Sequence, residues 1–368
     1  MNDTLTVTRL LTRKNALAQS RIDVSAQPRA AADGEVWLAI ERIALTTNNI
    51  TYAAFGDSMQ YWGFFPTGVD GFGHMPVWGF ADVVASGVPG VEVGERFYGY
   101  FPIASHIRMQ PVRVTARGFY DGAAHRQQLT SAYNQYTRCS EDPVYRAEHE
   151  DPQMLLRPLF ITSFMLADFL SDNAFFGAKR LVFSSASSKT AFGTAFCLLD
   201  RDDIERVALT SPRNRAFVEG LGAYHRTVSY DELATLDAST PTLYVDFAGD
   251  DDLRTRIHHH FGDALVYDCF AGSAQKAAAP NHPSLPGPAP VFYFAPVQIR
   301  KRNADWGTAV VNQRFGEAQQ RFIAHLSAPG NRWMRVVEHQ GFDAAQRLIA
   351  ELHAGRTTPI DGHVVRLT

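Results

Sequence analysis

Four serines, a lysine and a threonine stand together in residues 181–193, LVFSSASSKTAFG. Ser185, Ser187, Ser188, Lys189 and Thr190 place hydroxyls and one positive charge where an apolar run gives way to a helical one. A strand that hands over to a helix at such a point can hold a phosphate on the helix's first amide N–H groups. Turns of this kind ordinarily use glycines for the bend, the phosphate approach and the helix–strand packing. The corresponding positions here are Ser185, Ser188 and Ala191. Serine and alanine are small, but they adopt positive φ only at a cost. Two readings stand side by side: a nucleotide-binding turn with hydroxyls in place of glycines, or a plain strand-to-helix turn capped by Ser187 or Ser188. The ending SSKT has the outline of a phosphate-binding P-loop, yet the glycines needed before its Lys are absent.

The next apolar run ends in ALTSPRNRAFVEGLGA. About 20 positions beyond a nucleotide turn, an acidic residue would select a free ribose 2′-hydroxyl. Ser211, Arg213, Asn214 and Arg215 stand there instead, a hydroxyl, an amide and two guanidinium groups suited to a 2′-phosphate. The plainer alternative is solvated residues opening a helix. Arginine at a helix N-terminus is electrostatically unfavourable, which favours the phosphate. These positions predict NADP(H) as cofactor.

The elements that must position these groups follow from the pattern of the chain. At 368 residues it is long enough for two domains, and its 45% apolar content is that of a globular protein. A net charge of −3 gives no electrostatic case for nucleic acid or an anionic membrane. Cys139, Cys197 and Cys269 are odd in number and widely spaced, so neither a disulfide framework nor a structural zinc site is expected. The N-terminal stretch carries no long apolar core, which makes a cytoplasmic location the expectation. Residues 35–47 alternate apolar and polar, and residues 76–116 continue as short strands broken by glycine. From 151 the texture changes to one long apolar helix. Five apolar runs then alternate with helical segments, beginning at 180, 206, 242, 263 and 290, and AYHRTVSY at 223 adds a sixth. Such alternation predicts a doubly wound parallel sheet covered on both faces. After 327 a strand, a helix and a final strand restore the β texture. The expected architecture is α/β, with residues 151–327 inserted between the two parts (1–150 and 328–368) of a β-rich domain, and the ligand in the cleft between them.

The order of these segments resembles the medium-chain dehydrogenase/reductase superfamily, in particular its zinc-independent quinone and enoyl reductase branch. GEVWLAIERIALTTNNITY, VEVGERFYG, LVFSSASSKTAFGTAF, FVEGLGAYHRTVSYDEL and AAQRLIAELHAGRTTPIDGHVVRL are similar to its segments in the same order. The likeness covers nearly the whole chain. It also resembles a subgroup in which the glycines of the turn are replaced. The resemblance implies a Rossmann sheet, a GroES-like substrate domain and dimerisation through the last strand of the sheet. It also defines departures. Zinc members carry a Cys in the loop that here reads LTTNNIT, and where they carry a Glu after the histidine this chain has Gly79, although His74 is present. The three protein ligands of a catalytic zinc cannot be assembled, and His258, His259 and His260 are expected in solvent at a helix end. Residues 117–156 exceed the family's length.

Without metal, reduction of an activated double bond needs a donor on the substrate carbonyl. Asn48 matches an asparagine of the family's substrate loop, and Thr51 replaces its Asp. Tyr52 and Tyr61 are candidate hydroxyl donors, with Trp62, Phe64 and Phe65 as an apolar wall. Tyr133, Asn134 and Tyr136, or the Pro-rich residues 277–290, are candidate covers for the same cleft. The resulting expectation is a zinc-independent NADPH-dependent reductase of enones, quinones or enoyl thioesters; the alternative is a non-catalytic relative that binds nucleotide or a partner. Residues 291–295 are strongly β-forming and uncharged, so the edge strand at 290–296 is expected to pair with its two-fold copy in a homodimer.

Overall fold

The structure, a computed structural model, describes residues 4–271, 285–330 and 333–367. It divides into two units, Met1–Leu155 with Val336–Thr368, and Leu156–Arg335.

The first unit is built from β1 (Thr4–Arg13), β2 (Ser20–Pro28), β3 (Val36–Leu45), α1 (Thr47–Ala54), β4 (Phe72–Gly73), β5 (Pro76–Ser86), β6 (Arg96–Pro102), β7 (His106–Met109), β8 (Pro111–Thr115), β9 (Gly118–Asp121) and β10 (Gln135–Arg138). α2 (Glu150–Asp172) begins in this unit and ends in the other; its first carboxylates, Glu150 and Asp151, are held by Arg96 and Arg42. By length and composition residues Ala147–Asp172 could cross a membrane. Within the second unit, however, Met165, Leu166 and Leu170 of this helix are fully buried in the protein core.

The second unit continues through β11 (Arg180–Phe183), α3 (Lys189–Cys197), β12 (Glu205–Thr210), α4 (Arg215–Gly220), β13 (Arg226–Ser229), β14 (Thr242–Asp246), α5 (Asp251–Phe261), β15 (Leu265–Phe270), β16 (Val291–Phe292), α6 (Ala295–Trp306) and α7 (Thr308–Ser327). The chain then returns to the first unit with β17 (Arg335–Gln340), α8 (Gly341–His353) and β18 (Asp361–Arg366).

Within the described residues β11 to β16 form one parallel sheet in the order β13-β12-β11-β14-β15-β16. Every residue of β11 and β14 is buried, because both faces are covered. Leu181, Phe183, Leu243 and Val245 join the cluster containing Met165 and Leu170 of α2. Val182 and Tyr244 point the other way, into the cluster with Leu253, Ile257 and Phe261 of α5. Continuous apolar strands are the result. Gly193 lets α3 approach α2 closely: a Cβ there would lie 2.7 Å from Ser163 Oγ. The last strand is shorter than expected from 290–296. Only Val291 and Phe292 pair with β15, because Pro296 sits in the first turn of α6 and the chain turns helical from Ala295.

The main sheet of the first unit is antiparallel in the order β17-β18-β3-β5-β6-β10-β9-β8, with β7 also on β3, and β2-β1-β4 forms a second sheet. The segment of unassigned length is thus structural in part: β9 and β10 are strands of this sheet. Gly79 of β5 is a forced glycine, since a Cβ would stand 2.3 Å from the Arg42 carbonyl oxygen. No carboxylate side chain fits at that position.

Candidate functional site

β11 ends in a turn whose polar groups are almost all tied down locally. Ser184 is fully buried; its hydroxyl donates to Asp246 Oδ1 (2.7 Å) and accepts from the amides of Phe247 (2.9 Å) and Ala248 (3.1 Å). Ser185 follows in the left-handed region, with φ 47°. A serine thus holds the conformation for which such turns ordinarily use glycine, at about 1–2 kcal/mol of strain. Its amide donates to the Tyr230 hydroxyl at 3.0 Å, and the Ala186 carbonyl accepts from the Tyr224 hydroxyl at 3.1 Å. Ser188 caps α3, accepting from the Ala191 amide at 3.3 Å. Lys189 and Thr190 are half-buried in the first turn of that helix.

The two stretches singled out in the sequence meet here. Asn214 Nδ2 donates to Ser187 Oγ at 3.2 Å. Ser211 precedes a short 3-10 turn, Pro212–Asn214. Arg213 is exposed and engages no acid among the described residues. Arg215 differs: its guanidinium pairs with Glu219 (3.0 Å) and Glu232 (2.6 Å), so its charge is already answered.

A buried charge network underlies this turn. Asp246, at the end of β14, also takes the Ala248 and Gly249 amides (2.9 and 3.1 Å), and its other oxygen pairs with Arg254. Arg254 Nε reaches Asp268 Oδ2 at 3.1 Å, and that oxygen also meets His258 Nε2 at 2.9 Å. His258 Nδ1 faces the Pro286 carbonyl at 2.7 Å. Burial pushes the Asp246 carboxyl up from its ordinary range, while Arg254 and Ser184 pull the other way. The expectation that the three histidines are solvated is therefore corrected. His259 is exposed, but His258 is fully buried and His260 hydrogen-bonds the Leu236 carbonyl. Arg254 and His258 are four residues apart, hence on one helix face turned to the sheet.

In the first unit Asn48 and Tyr52, also four apart on α1, join Tyr61 in a cluster of aromatic rings. Tyr52 lies 4.8 Å from Tyr61, 5.5 Å from Tyr100 and 6.0 Å from Tyr133 between ring centroids. Tyr61 and Tyr133 share a hydroxyl–hydroxyl hydrogen bond of 3.3 Å, and Trp78 Nε1 donates to the Tyr52 hydroxyl at 3.3 Å. Burial pushes Tyr52 up to about 12 and also raises Tyr61, Tyr100 and Tyr133. All four are neutral phenols at ordinary pH, able to donate a hydrogen bond to a carbonyl oxygen. The Tyr100 hydroxyl is buried with no partner among the described residues.

Phe64 and Phe65 pack in this cluster, but Trp62 belongs to the main core of the unit instead. Of the candidate covers, Asn134 is buried in the 3-10 turn before β10 and Tyr136 within β10, where it accepts from Arg126 and donates to the Tyr100 carbonyl. Tyr133 alone joins the phenols. It is fixed by Arg126, wholly buried, which pairs with Asp121 at 2.5 Å and donates to the Tyr133 carbonyl at 3.4 Å. The Pro-rich stretch at 277–290 lies outside the described residues up to 284. His74 is buried, and desolvation lowers it to about 4. Among the described residues no three His, Cys, Asp or Glu side chains converge as a metal site.

Spacing pointed to the serines and Arg213, and the family resemblance to Asn48 and to the loop that holds Tyr52 and Tyr61. It missed Trp78 and Tyr100, which face the phenols from neighbouring strands, and the Asp246–Arg254–Asp268–His258 network. The four-residue spacing of Arg254 and His258 within the apolar face of α5 was the available signal.

Among solved structures, CurA of Vibrio vulnificus in complex with NADPH is similar at TM-score 0.62, with 14% identity over 99% of both chains. The yhdH oxidoreductase of Salmonella enterica in complex with NADP gives TM-score 0.52 and 15% identity, over 99% of this chain and 100% of that one. An enoyl thioester reductase of Candida tropicalis, in mutant form, gives TM-score 0.53 and 11% identity, over 98% and 100%. At such identities the likeness is one of fold: this chain has the two-domain medium-chain dehydrogenase/reductase architecture. No curated protein matches the sequence. A family profile described as "Protein of unknown function (DUF2855)" matches residues 43–358. On that match across most of its length, the chain belongs to the DUF2855 family.

Proposed function

We propose that the protein is an NADP(H)-dependent oxidoreductase acting, without zinc, on a small activated alkene or carbonyl such as an enone, quinone or enoyl thioester. One observation carries the reading: the left-handed Ser185 turn stands at the switch point of the sheet, between β11 and β14, and Arg213, beyond the adjacent strand, engages no acid among the described residues. The residues present fit the cofactor. The N-terminus of α3, with Ser187, Ser188, Lys189 and Thr190, suits a pyrophosphate. Ser211, Arg213 and Asn214 suit a 2′-phosphorylated ribose, with Arg213 as the available cation because Arg215 is held by Glu219 and Glu232. NADPH supplies hydride when bound. Tyr52 and Tyr61 act as neutral donors to the substrate oxygen, with Asn48, one helical turn before Tyr52, as a further polar group. Solved neighbours bound to NADPH and NADP support the reading.

Fluorescence titration tests it. NADPH binds at least about tenfold tighter than NADH, and Arg213→Ala removes most of the difference; equal affinities would sink the assignment of Arg213. Protein prepared without added metal holds no stoichiometric zinc by elemental analysis, and one tightly held zinc per chain would overturn that part. We place the protein in the cytoplasm. It acts as a homodimer joined at β16, where Val291 and Phe292 are exposed; Phe292→Lys then yields a monomer in light scattering, and a wild-type monomer at micromolar concentration rejects the dimer. A second reading, a non-catalytic nucleotide or partner binder, is favoured by the occupation of the Ser185 amide and Ala186 carbonyl by Tyr230 and Tyr224. Absence of binding to either nucleotide would select it.

A further inference from the structure

One backbone carbonyl ties the entry to β16 to the charge network beneath the turn. Residues 285–290 read LPGPAP; their three prolines leave few amide hydrogens, and they form no strand. Among the described residues their one hydrogen bond joins the Pro286 carbonyl to His258 Nδ1 at 2.7 Å. Gly287, at φ 81°, lies against the end of α5: a Cβ there would stand 3.0 Å from the Gly262 carbonyl oxygen. The other ring nitrogen of His258, Nε2, lies 2.9 Å from Asp268 Oδ2. Both contacts have a fixed sense. A carbonyl oxygen only accepts, so Nδ1 carries hydrogen. Arg254 Nε donates to the same Oδ2 at 3.1 Å, which favours an ionised Asp268, and an ionised carboxylate also only accepts. Nε2 therefore carries a second proton, and His258 is an imidazolium.

Charge balance requires the same proton. Every hydrogen-bond partner of Asp246 donates to it, among them the Tyr244 hydroxyl at 3.1 Å, so it is ionised and cancels Arg254. With His258 cationic against Asp268 the four buried side chains sum to zero; without that proton a net negative charge would sit out of water. The other ionisable groups on the elements packed here are few. They are Asp251 of α5, 3.6 Å from Arg254, Cys269 of β15, exposed Asp263, and Tyr230 and Glu232, which meet the Ser185 amide and Arg215. Residues 285–290 bring none. We propose that His258 and Asp268 form a proton-operated latch that fastens residues 285–290, and with them β16, to α5, and that opens as pH rises and the second proton leaves. The single hydrogen left on the ring then goes to the carboxylate, since a charged acceptor makes the stronger bond. Nδ1 is left facing the Pro286 carbonyl lone pair to lone pair, and the carbonyl is released. Little else holds the strand: Val291 and Phe292 pair with β15, and the Tyr293 amide donates to the Phe270 carbonyl at 2.8 Å. The latch requires neither nucleotide nor turnover, so it stands apart from the reductase reading.

Two readings on the full wild-type chain test this. In protein carrying isotope-labelled histidine, nuclear magnetic resonance of the His258 ring, assigned through its proximity to Pro286, shows hydrogen on both nitrogens at neutral pH. A single protonated nitrogen there overturns the proposal. The second reading is hydrogen exchange at the Tyr293 amide, corrected for the intrinsic effect of pH. Exchange quickens by roughly tenfold or more over the pH interval in which His258 loses its second proton. An amide that keeps its protection across that interval rejects the latch. In His258→Gln the same amide exchanges fast throughout and shows no step; a step like that of the wild type would assign the opening to another group and reject His258. Both wild-type readings must fall in one pH interval, so the test holds even where His258→Gln does not fold.

Discussion

The turn of the second unit and the phenol cluster of the first both keep polar groups out of water, by opposite means. Beneath the turn lie full charges: Asp246, Arg254 and Asp268 are each fully buried and tied in one chain. The backbone above them is strained at Ser185. In the cluster the groups are neutral phenols, an indole and an amide, and the nearby buried ion pair, Arg126–Asp121, closes on itself. The first arrangement is stiff but fails as a whole if a partner is lost. The second loses its contacts one hydrogen bond at a time. Buried charge sets position at the turn, whereas neutral donors with raised pKa values keep the cluster able to answer a carbonyl over a wide pH range.

The largest expected effect breaks the charged side. Arg254→Met leaves Asp246 and Asp268 buried without their cation, at about 3–5 kcal/mol of stability. Urea unfolding followed by tryptophan and far-ultraviolet signals reads it; a loss under about 1 kcal/mol would mean the carboxylates find water or another cation.

Next is the pH response of the first unit. His74 is near 4 in the fold against 6.5 unfolded, mainly through burial, with Arg9 lowering it and Asp23 raising it. The unfolded chain therefore binds the extra proton first. The contribution is intact above pH 6.5 and is lost progressively as pH falls towards 4, by about 3 kcal/mol in all. His74→Gln should flatten that part of the stability profile; identical profiles in variant and wild type would refute the assignment.

These two contrasts also mark what the sequence can show. Strands buried on both faces are continuous apolar runs, so the six segments of the parallel sheet could be read directly. The last was overextended because Pro296 serves the first turn of α6, a context that composition around 290–296 does not reveal. The turn was legible by spacing, but its conformation was not: nothing in SSASSK states that Ser185 adopts positive φ rather than the turn relaxing. The phenol cluster was legible only in its local part, Asn48, Tyr52 and Tyr61. Trp78, Tyr100 and Tyr133 come from three other segments and meet through the register of β5, β6 and β10, which no spacing encodes. His258 was misread because a histidine triplet has a polar composition, whereas burial on a helix is decided residue by residue by its face.

Two smaller effects sharpen the comparison. Tyr52→Phe leaves the Trp78 indole without its acceptor and costs about 1–2 kcal/mol, far less than the loss of Arg254. A cost equal to that of Arg254→Met in the same urea experiment would erase the distinction between the two regions. Smallest, and opposite in sign, is Ser185→Gly. Glycine relieves the left-handed strain and gives back part of the gain as chain entropy, so stability rises by up to about 1 kcal/mol. A clear loss in thermal unfolding would show that the Ser185 side chain contributes more than its backbone strain removes.

The interleaved order of the two units has a consequence for the newly made chain. β7 covers Val36 to Ala39 on one edge of β3, and β18 covers the rest of that edge from His363↔Leu45 to Arg366↔Arg42, so residues 42–45 have no partner there until residues 363–366 are synthesised. At roughly 5–20 residues per second, the intervening stretch of about 300 residues keeps that edge waiting for roughly 15–60 s on the ribosome. The second unit is contiguous, and all of its strands have been translated before β18 is. The half that begins first is completed last, and its apolar β3 is the surface a chaperone would meet.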